Sequence, residues 1–410
     1  MGQHDEINRA QGKVDKKASK SILAGAAFLM ATSSIGPGFL TQTTVFTQQL
    51  AASFGFVILV SLILDVFAQV NVWRIIGVSG LRGQEIANIV LPGLGFVLSI
   101  FIVIGGLAFN IGNVAGAGLG LNAMLGLDPI TGSIISAICA ILIFVIKEAG
   151  KVMDKVTQIA GGIMMLLMLY VAISTSPPVG EAMLRTVAPT EISMFAIITL
   201  VGGTVGGYIT FAGGHRLLDA GIKGPEYLSE ITKSSVFGIG VTGIMRVALF
   251  LAVFGVVAQG LEINNENPPA SVFQLAAGNI GHRMFGVIMW SAAITSVVGA
   301  AYTSVSFIKT FHPLIEKYHN YVIILFILIS SSTFALIGQP VNVLILAGAL
   351  NALILPLALG TILIGAYKKE VVGPSYKQPL WLTIPGVIVV IGMGYLAIVT
   401  LIEQIPLLFK

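Results

Sequence analysis

Two short stretches carry the residues whose types and spacing could do chemistry. Gly36-Pro37-Gly38-Phe39 interrupts one long apolar segment, and Gly202-Gly203-Thr204-Val205-Gly206-Gly207-Tyr208 interrupts another. A helix that stops and restarts at membrane depth leaves backbone groups without partners, and this is tolerated only where they are buried in protein or line a cavity. Each restart, near Phe39-Leu40-Thr41 and near Ile209-Thr210, offers unpaired N–H groups and about half a positive charge, which suits a carboxylate or another anion. Uncharged hydrogen-bonding side chains cluster around them: Thr41, Gln42, Thr44, Asn110, Asn113, Tyr208 and Thr210. Amides and hydroxyls match an organic solute that carries a carboxylate together with an amide or amine. Helix–helix hydrogen bonding is the structural alternative for each residue alone, and a simple kink is the alternative for each break. Both breaks combine several Gly or Pro residues at corresponding places, which favours a transporter binding site. The expected substrate-binding set is therefore Gly36, Gly38, Phe39, Thr41, Gln42, Asn110, Asn113, Gly206, Gly207, Tyr208 and Thr210.

Other ionisable residues fall in apolar surroundings, where charge is costly and functional by default. Asp65 and Arg246 are of types that could pair. His215, Arg216 and Asp219 follow the second break and are expected to gate one mouth, with a salt bridge there. His215 has no second His, Cys or acid placed to join it in holding a metal, so no metal site is expected. Cys139 is the single cysteine, which excludes an intramolecular disulfide. No nucleophile–base pair is evident, so an enzyme is not expected.

The elements that must position these residues are membrane helices. The 410 residues are 56% hydrophobic and 10% charged, against about 25% charged in soluble proteins. Apolar runs long enough to span a bilayer fall near 21–50, 53–76, 93–124, 129–147, 155–174, 192–220, 233–259, 283–311, 320–337, 341–367 and 379–403. The first and sixth contain the breaks. The chain thus reads as a cytoplasmic tail (1–20), a first five-helix half (21–174), a second (192–367) and an eleventh span (379–403). With the N-terminus inside, only Arg185, Arg283 and Lys410 among the 22 Lys and Arg fall outside, and Arg246 lies within the seventh span. That asymmetry supports the orientation and the odd number of spans, with the C-terminus outside. The formal net charge of +4 is spread over short loops, so the partners are the lipid bilayer and a small-molecule or ion substrate, and not nucleic acid. The 261–281 segment reads as an external loop with a short interfacial helix.

The first break, the Ala108-Phe109-Asn110-Ile111-Gly112-Asn113-Val114-Ala115-Gly116 segment and Thr204-Val205-Gly206-Gly207-Tyr208 together resemble the NRAMP family of divalent-metal transporters over most of residues 21–370. The resemblance implies an all-α, LeuT-like fold: two inverted five-helix repeats around a midplane site, discontinuous helices 1 and 6, and one extra helix. It also implies where a metal would bind, and those positions have changed. The family's metal-binding Asp falls on Gly36, its Asn on Phe39, its Met on Gly206, and its sixth-helix histidines on Tyr208 and Gly213. The acids of its proton path fall on Asn110 and Asn113, and amides cannot exchange protons at ordinary pH. Ala292-Ala293-Ile294-Thr295-Ser296 resembles the segment with which sodium-coupled amino-acid symporters hold sodium, the further ligands being carbonyls near Ser33 and Gly36. Close helix packing is the alternative for these small residues.

The expectation is a secondary-active transporter of a small polar or anionic organic solute, working by alternating access in a bacterial inner membrane. Sodium is the expected coupling ion, at Ser33, Gly36, Ala292, Thr295 and Ser296, and there is no other cofactor. The alternatives are a divalent-cation transporter for a hydrated hard ion such as magnesium or manganese, held through its water by carbonyls and amides, and a membrane sensor that has lost transport.

Overall fold

The computed structural model describes residues 22–27, 30–31, 34–309 and 311–404, with side chains described for all of these except 147–154, 156–158 and 400–404. The expected tail (1–20) and Ser33 lie outside the described residues.

The fold is all-helical. Residues 22–27, 30–31 and 34 are helical and lead into the first break. In chain order the helices are α1 (Pro37–Leu50), α2 (Phe54–Ser79), α3 (Gly83–Val90), α4 (Leu94–Leu125), α5 (Pro129–Val145), α6 (Lys147–Thr175), α7 (Val179–Val187) and α8 (Met194–Val205). They continue as α9 (Ile209–Asp219), α10 (Leu228–Ala258), α11 (Pro268–Ile308), α12 (Pro313–Lys317), α13 (His319–Ile337), α14 (Pro340–Gly365), α15 (Lys369–Val372) and α16 (Leu380–Gln404). Among the described residues, 8 helical stretches are long and apolar enough to cross a membrane, or up to 9 if the bent α6–α7 pair is one span. The stretch Pro37–Ser79 counts as one of these, although α1 and α2 meet there at a single 3-10 turn.

Proline and glycine set the element boundaries. Pro37, Pro129, Pro268, Pro313 and Pro340 each open a helix, where a missing N–H costs nothing. Gly80, Gly126 and Gly338 end α2, α4 and α13 in the left-handed conformation. At Gly278 (φ 64°) the backbone of α11 leaves the helical conformation, so its first ten residues form a separate helical piece.

Helix α4 is the axis of the packing. It lies against α11, α14, α5, α13 and α3. Its run of small residues permits this: Gly120 rests on the backbone of Trp290 in α11, and Gly116 makes room for Pro37 at the first break. Helix α1 is held between α10, α14, α11, α8 and α4. The outward faces carry exposed Leu336, Ile173, Ile280 and Ile391, as suits a lipid solvent. Among the described residues, four short helices, α3, α7, α12 and α15, fall between the expected spans. In α3 the residues Gln84, Ile86 and Ala87 are buried between exposed Glu85 and Asn88, and in α7 Ala182 is buried between exposed Glu181 and Met183.

Candidate functional site

Gly36 is extended (φ −110°, ψ −170°) and caps α1, with no side chain bonding the freed N–H groups. A side chain on Gly36 would begin 3.4 Å from Ser296 Oγ and 3.6 Å from Asn113 Oδ1, so α11 and α4 both face this break. At the second break α8 ends at Val205, Gly206 is extended and Gly207 is left-handed (φ 54°). Helix α9 then restarts with no side-chain cap. Ser34 Oγ, at the end of the first half-helix, donates to the Thr204 carbonyl at 2.9 Å. The two breaks therefore lie side by side, and two uncapped N-termini open next to each other.

The side chains around them are buried and conspicuously unsatisfied. Thr41 Oγ1, Gln42 Oε1, Asn110 Oδ1, Asn113 Nδ2 and Thr210 Oγ1 have no hydrogen-bond partner. Ser304 Oγ and Asn351 Oδ1, which the sequence reading did not single out, share that state. Buried polar atoms without a partner also lie elsewhere in the bundle, at Thr43, Gln69, Gln84, Thr199, Ser235 and Asn267, and those beside the breaks are the candidates for contact with a ligand. The remaining valences tie the set to the scaffold. Gln42 Nε2 donates to the Leu344 carbonyl (3.0 Å), Asn110 Nδ2 to Ser330 Oγ (3.0 Å), and Asn351 Nδ2 to the Gly105 carbonyl (2.9 Å). Thr44 bonds back to the Leu40 carbonyl of its own helix at 2.9 Å. Tyr208 stands edge-to-face against Phe109 with ring centroids 5.9 Å apart, and Phe39 is buried at the other break.

This arrangement of paired interrupted helices has counterparts. The sequence profile of the natural resistance-associated macrophage protein-like (Nramp) proteins matches residues 27–403. The chain belongs to the Nramp family. It is a secondary transporter and a bacterial integral membrane protein, and Nramp proteins are transporters, not enzymes. An uncharacterized membrane protein of Bacillus subtilis, YcsG, is 66% identical over 99% of this chain and 100% of its own length. An uncharacterized membrane protein of Haemophilus influenzae is 54% identical over 95% of this chain and 98% of its own. Among solved structures, a manganese transporter of Eremococcus coleocola has a TM-score of 0.74 at 15% identity, covering 96% of this chain and 88% of that one. MhsT, solved in complex with L-phenylalanine, has a TM-score of 0.66 at 14% identity, covering 92% of this chain and 97% of that one. The two likenesses establish Nramp- and LeuT-like packing.

As an Nramp protein this chain is divergent. Among the described residues, no group of three or more His, Cys, Asp or Glu could hold a metal ion. Gly36, Phe39, Gly206 and Tyr208 present backbone, two rings and one hydroxyl where a transition metal needs carboxylate, imidazole or sulfur.

The expected sodium ligands are only partly together. Ser296 Oγ faces Gly36, as noted. Thr295 Oγ1 instead turns back onto its own helix, donating to the carbonyls of Ser291 (3.2 Å) and Ala292 (3.0 Å). A hydroxyl bonded to the preceding turn still leaves its lone pairs, but it is aimed along α11.

At the end of α9 an ion pair and a hydrogen bond join this helix to the start of α3. Asp219, at the end of α9, pairs with Arg82 at 2.5 Å, just before α3. His215 Nε2 accepts from the Gly83 N–H at 3.1 Å, and its ring packs on Phe307 with centroids 5.1 Å apart. The sequence reading grouped Arg216 with Asp219. In the structure Arg216 is exposed and lies near Gly25, while Arg82 takes the carboxylate. Arg82 was missed because a basic loop residue reads as an orientation signal. At the far end of the first interrupted span lies a vestibule of about 680 Å³, lined by Gln48 and Gln49 of α1, Asn342 of α14, Asn122, Asp128 and Glu266. Gln42 lies between that vestibule and the break, inserted between Gly203 and Gly348.

Two ionisable side chains lie within the bundle. Asp65 (α2) and Arg246 (α10) are fully buried electrostatic neighbours. The pairing expected from their types is not a contact: the ion pairs among the described residues are Arg82–Asp219 and Lys309–Glu316. Arg246 Nη1 donates to Thr204 Oγ1 at 3.2 Å, and its guanidinium lies 4.5 Å from the centroid of the Phe39 ring.

Proposed function

We propose that the chain moves a small polar or anionic organic solute by alternating access, binding it between the two breaks. The observation that carries this reading is the set of buried, unpaired amide and hydroxyl groups (Thr41, Asn110, Asn113, Thr210) beside two uncapped half-helix N-termini. Donors and acceptors of that kind recognise a carboxylate with an amide or amine, and the N-termini favour the negative end. Gly36, Gly38, Phe39, Gln42, Gly206, Gly207 and Tyr208 complete the proposed pocket. Sodium is the proposed coupling ion, with Gly36 and Ser296 as its core and Ala292 and Thr295 beside them. His215, Arg216 and Asp219 form the proposed gate.

A second reading is a divalent cation. The likeness to manganese transporters favours it, and it is the substrate class to which the solved structures point most strongly. In this chain such an ion would keep its water and be held by amides and carbonyls. The donor set at the breaks, without a carboxylate, supports the organic solute instead.

The proposed topology is eleven spans: five-helix halves at 21–174 and 192–367 related by inversion, and a last span at 379–403. The tail (1–20) is placed in the cytoplasm and the C-terminus outside. This puts the Arg82–Asp219 latch on the cytoplasmic side and the vestibule on the external side.

Thermal-shift measurements on the purified protein with small carboxylates, amino-acid derivatives, Mn²⁺ and Mg²⁺, each with and without sodium, test the proposal. Stabilisation by carboxylates, enhanced by sodium, is expected. Micromolar manganese affinity that disappears on altering Gly36 or Gly206 would establish the second reading in its place.

A further inference from the structure

Arg246 is the one buried cation that touches both breaks among the described residues. Its Nη1 bonds Thr204, two residues before Gly206, and its face covers Phe39, two residues after Pro37. Its Nε and Nη2 have no partner, although the side chain is fully buried. These two nitrogens share one edge of the planar guanidinium, and their N–H bonds run parallel. That edge matches the two oxygens of a carboxylate in a bidentate pair. A structural ion pair would place Asp65 there. Asp65 makes no ion pair; its carboxyl lies beside Thr204, the same residue that Arg246 Nη1 bonds, and leaves the Nε/Nη2 edge unoccupied. Fixing the third nitrogen on Thr204 and the ring face on Phe39 orients the free edge in advance, so little side-chain freedom remains to be lost on binding.

We propose that Arg246 is a specificity-determining residue of the transport site: its free Nε/Nη2 edge receives the solute's carboxylate, and Asp65 is the counter-charge that balances it while the site is empty. This rests on the organic-solute reading and deepens it. The half-helix N-termini then serve the solute's other polar groups as well as adding to the positive potential. Asp65 competes with the solute for the same positive charge. Removing Arg246 and removing Asp65 therefore act in opposite directions on carboxylate affinity, which a merely structural pair would not do.

The test compares succinate and N-acetylglycine with their uncharged counterparts, succinamide and N-acetylglycinamide, by calorimetry or thermal shift on the full-length protein. For the parent, the carboxylates are expected to bind more tightly than the amides. Arg246→Gln is expected to weaken the carboxylates by about tenfold or more and to leave the amides nearly unchanged, as loss of a charge-assisted hydrogen bond requires. Asp65→Asn is expected to tighten the carboxylates. If Arg246→Gln does not fold, because it leaves Asp65 unbalanced, the double variant Asp65→Asn/Arg246→Gln removes both charges together and should show the same loss of preference. Carboxylate binding by the parent that persists undiminished in Arg246→Gln or in the double variant would overturn this proposal while leaving the organic-solute reading intact. A parent that binds none of the four probes but binds manganese would overturn both.

Discussion

Gly207 shows how one residue shapes the site. Its φ of 54° is the left-handed region, and a Cβ there would collide with the Asn351 amide oxygen. Gly207→Ala is expected to destabilise the protein through both effects, the conformational part being about 1–2 kcal/mol. In an Asn351→Ala background the collision is gone and the cost of Gly207→Ala should fall to the conformational part. Melting temperatures of the four proteins measure this; strictly additive effects would refute the coupling. At this scale the sequence is informative where chemistry is unusual. Gly36-Pro37-Gly38 and Gly206-Gly207 stand out as several helix breakers in an apolar run, and Asn110 and Asn113 as amides where membrane helices carry few. Asn351 and Ser304 did not stand out, because one polar residue in a long span reads as helix glue until its partners are known. Arg246 was visible as a buried charge, but its contacts with Thr204 and Phe39 depend on how α10 crosses both breaks.

The elements that move must be weakly held at the mouths. The Arg82–Asp219 pair joins α9 to the start of α3, with side chains 35% and 61% exposed, so solvent screens it and its worth is about 0–1 kcal/mol. As the proposed gate, a contact that weak can release during each transport cycle. Asp219→Asn is expected to raise, by a few-fold at most, the rate at which a maleimide reaches a cysteine placed at Thr210 in a Cys139→Ser background. Arg82→Asp combined with Asp219→Arg should restore the parent rate; failure of the swap to restore it would assign the effect to something other than the pair. The helices themselves were mostly legible because about 20 apolar residues leave few alternatives in a membrane. The short helices between the spans, α3 and α7 the longest of them, are not legible in the sequence. Eight or nine residues with only a few buried positions give too short a pattern to separate an interfacial helix from a loop, and their partners, α4 for one and α2 for the other, are set by tertiary packing.

For the whole molecule the decisive quantity is the charge that crosses the membrane. On the proposal that Asp65 is the counter-charge of Arg246 the empty site is neutral, and the acids that the Nramp resemblance implies for a proton path fall on Asn110 and Asn113. Loading a carboxylate therefore adds one buried negative charge, which is costly at membrane depth unless a monovalent cation enters with it. A loaded site carrying one anion and one cation is again neutral, and its reorientation does no work against the membrane potential. An uncompensated anion would gain or lose about 2.3 kcal/mol per 100 mV on crossing. Uptake of the solute into proteoliposomes is accordingly expected to depend on an imposed sodium gradient and to be nearly insensitive to a valinomycin-set potential. Ser296→Ala should weaken the sodium dependence more than Thr295→Ala, because Ser296 Oγ faces Gly36 while the Thr295 hydroxyl is turned onto its own helix. Reciprocity adds a second readout: sodium should tighten solute binding by the same factor by which the solute tightens sodium binding. Uptake driven by a proton gradient and unaffected by sodium would move the coupling cation to a protonated carboxylate, for which Asp65 is the buried candidate. Uptake driven by potential alone would overturn the neutral-loading account altogether.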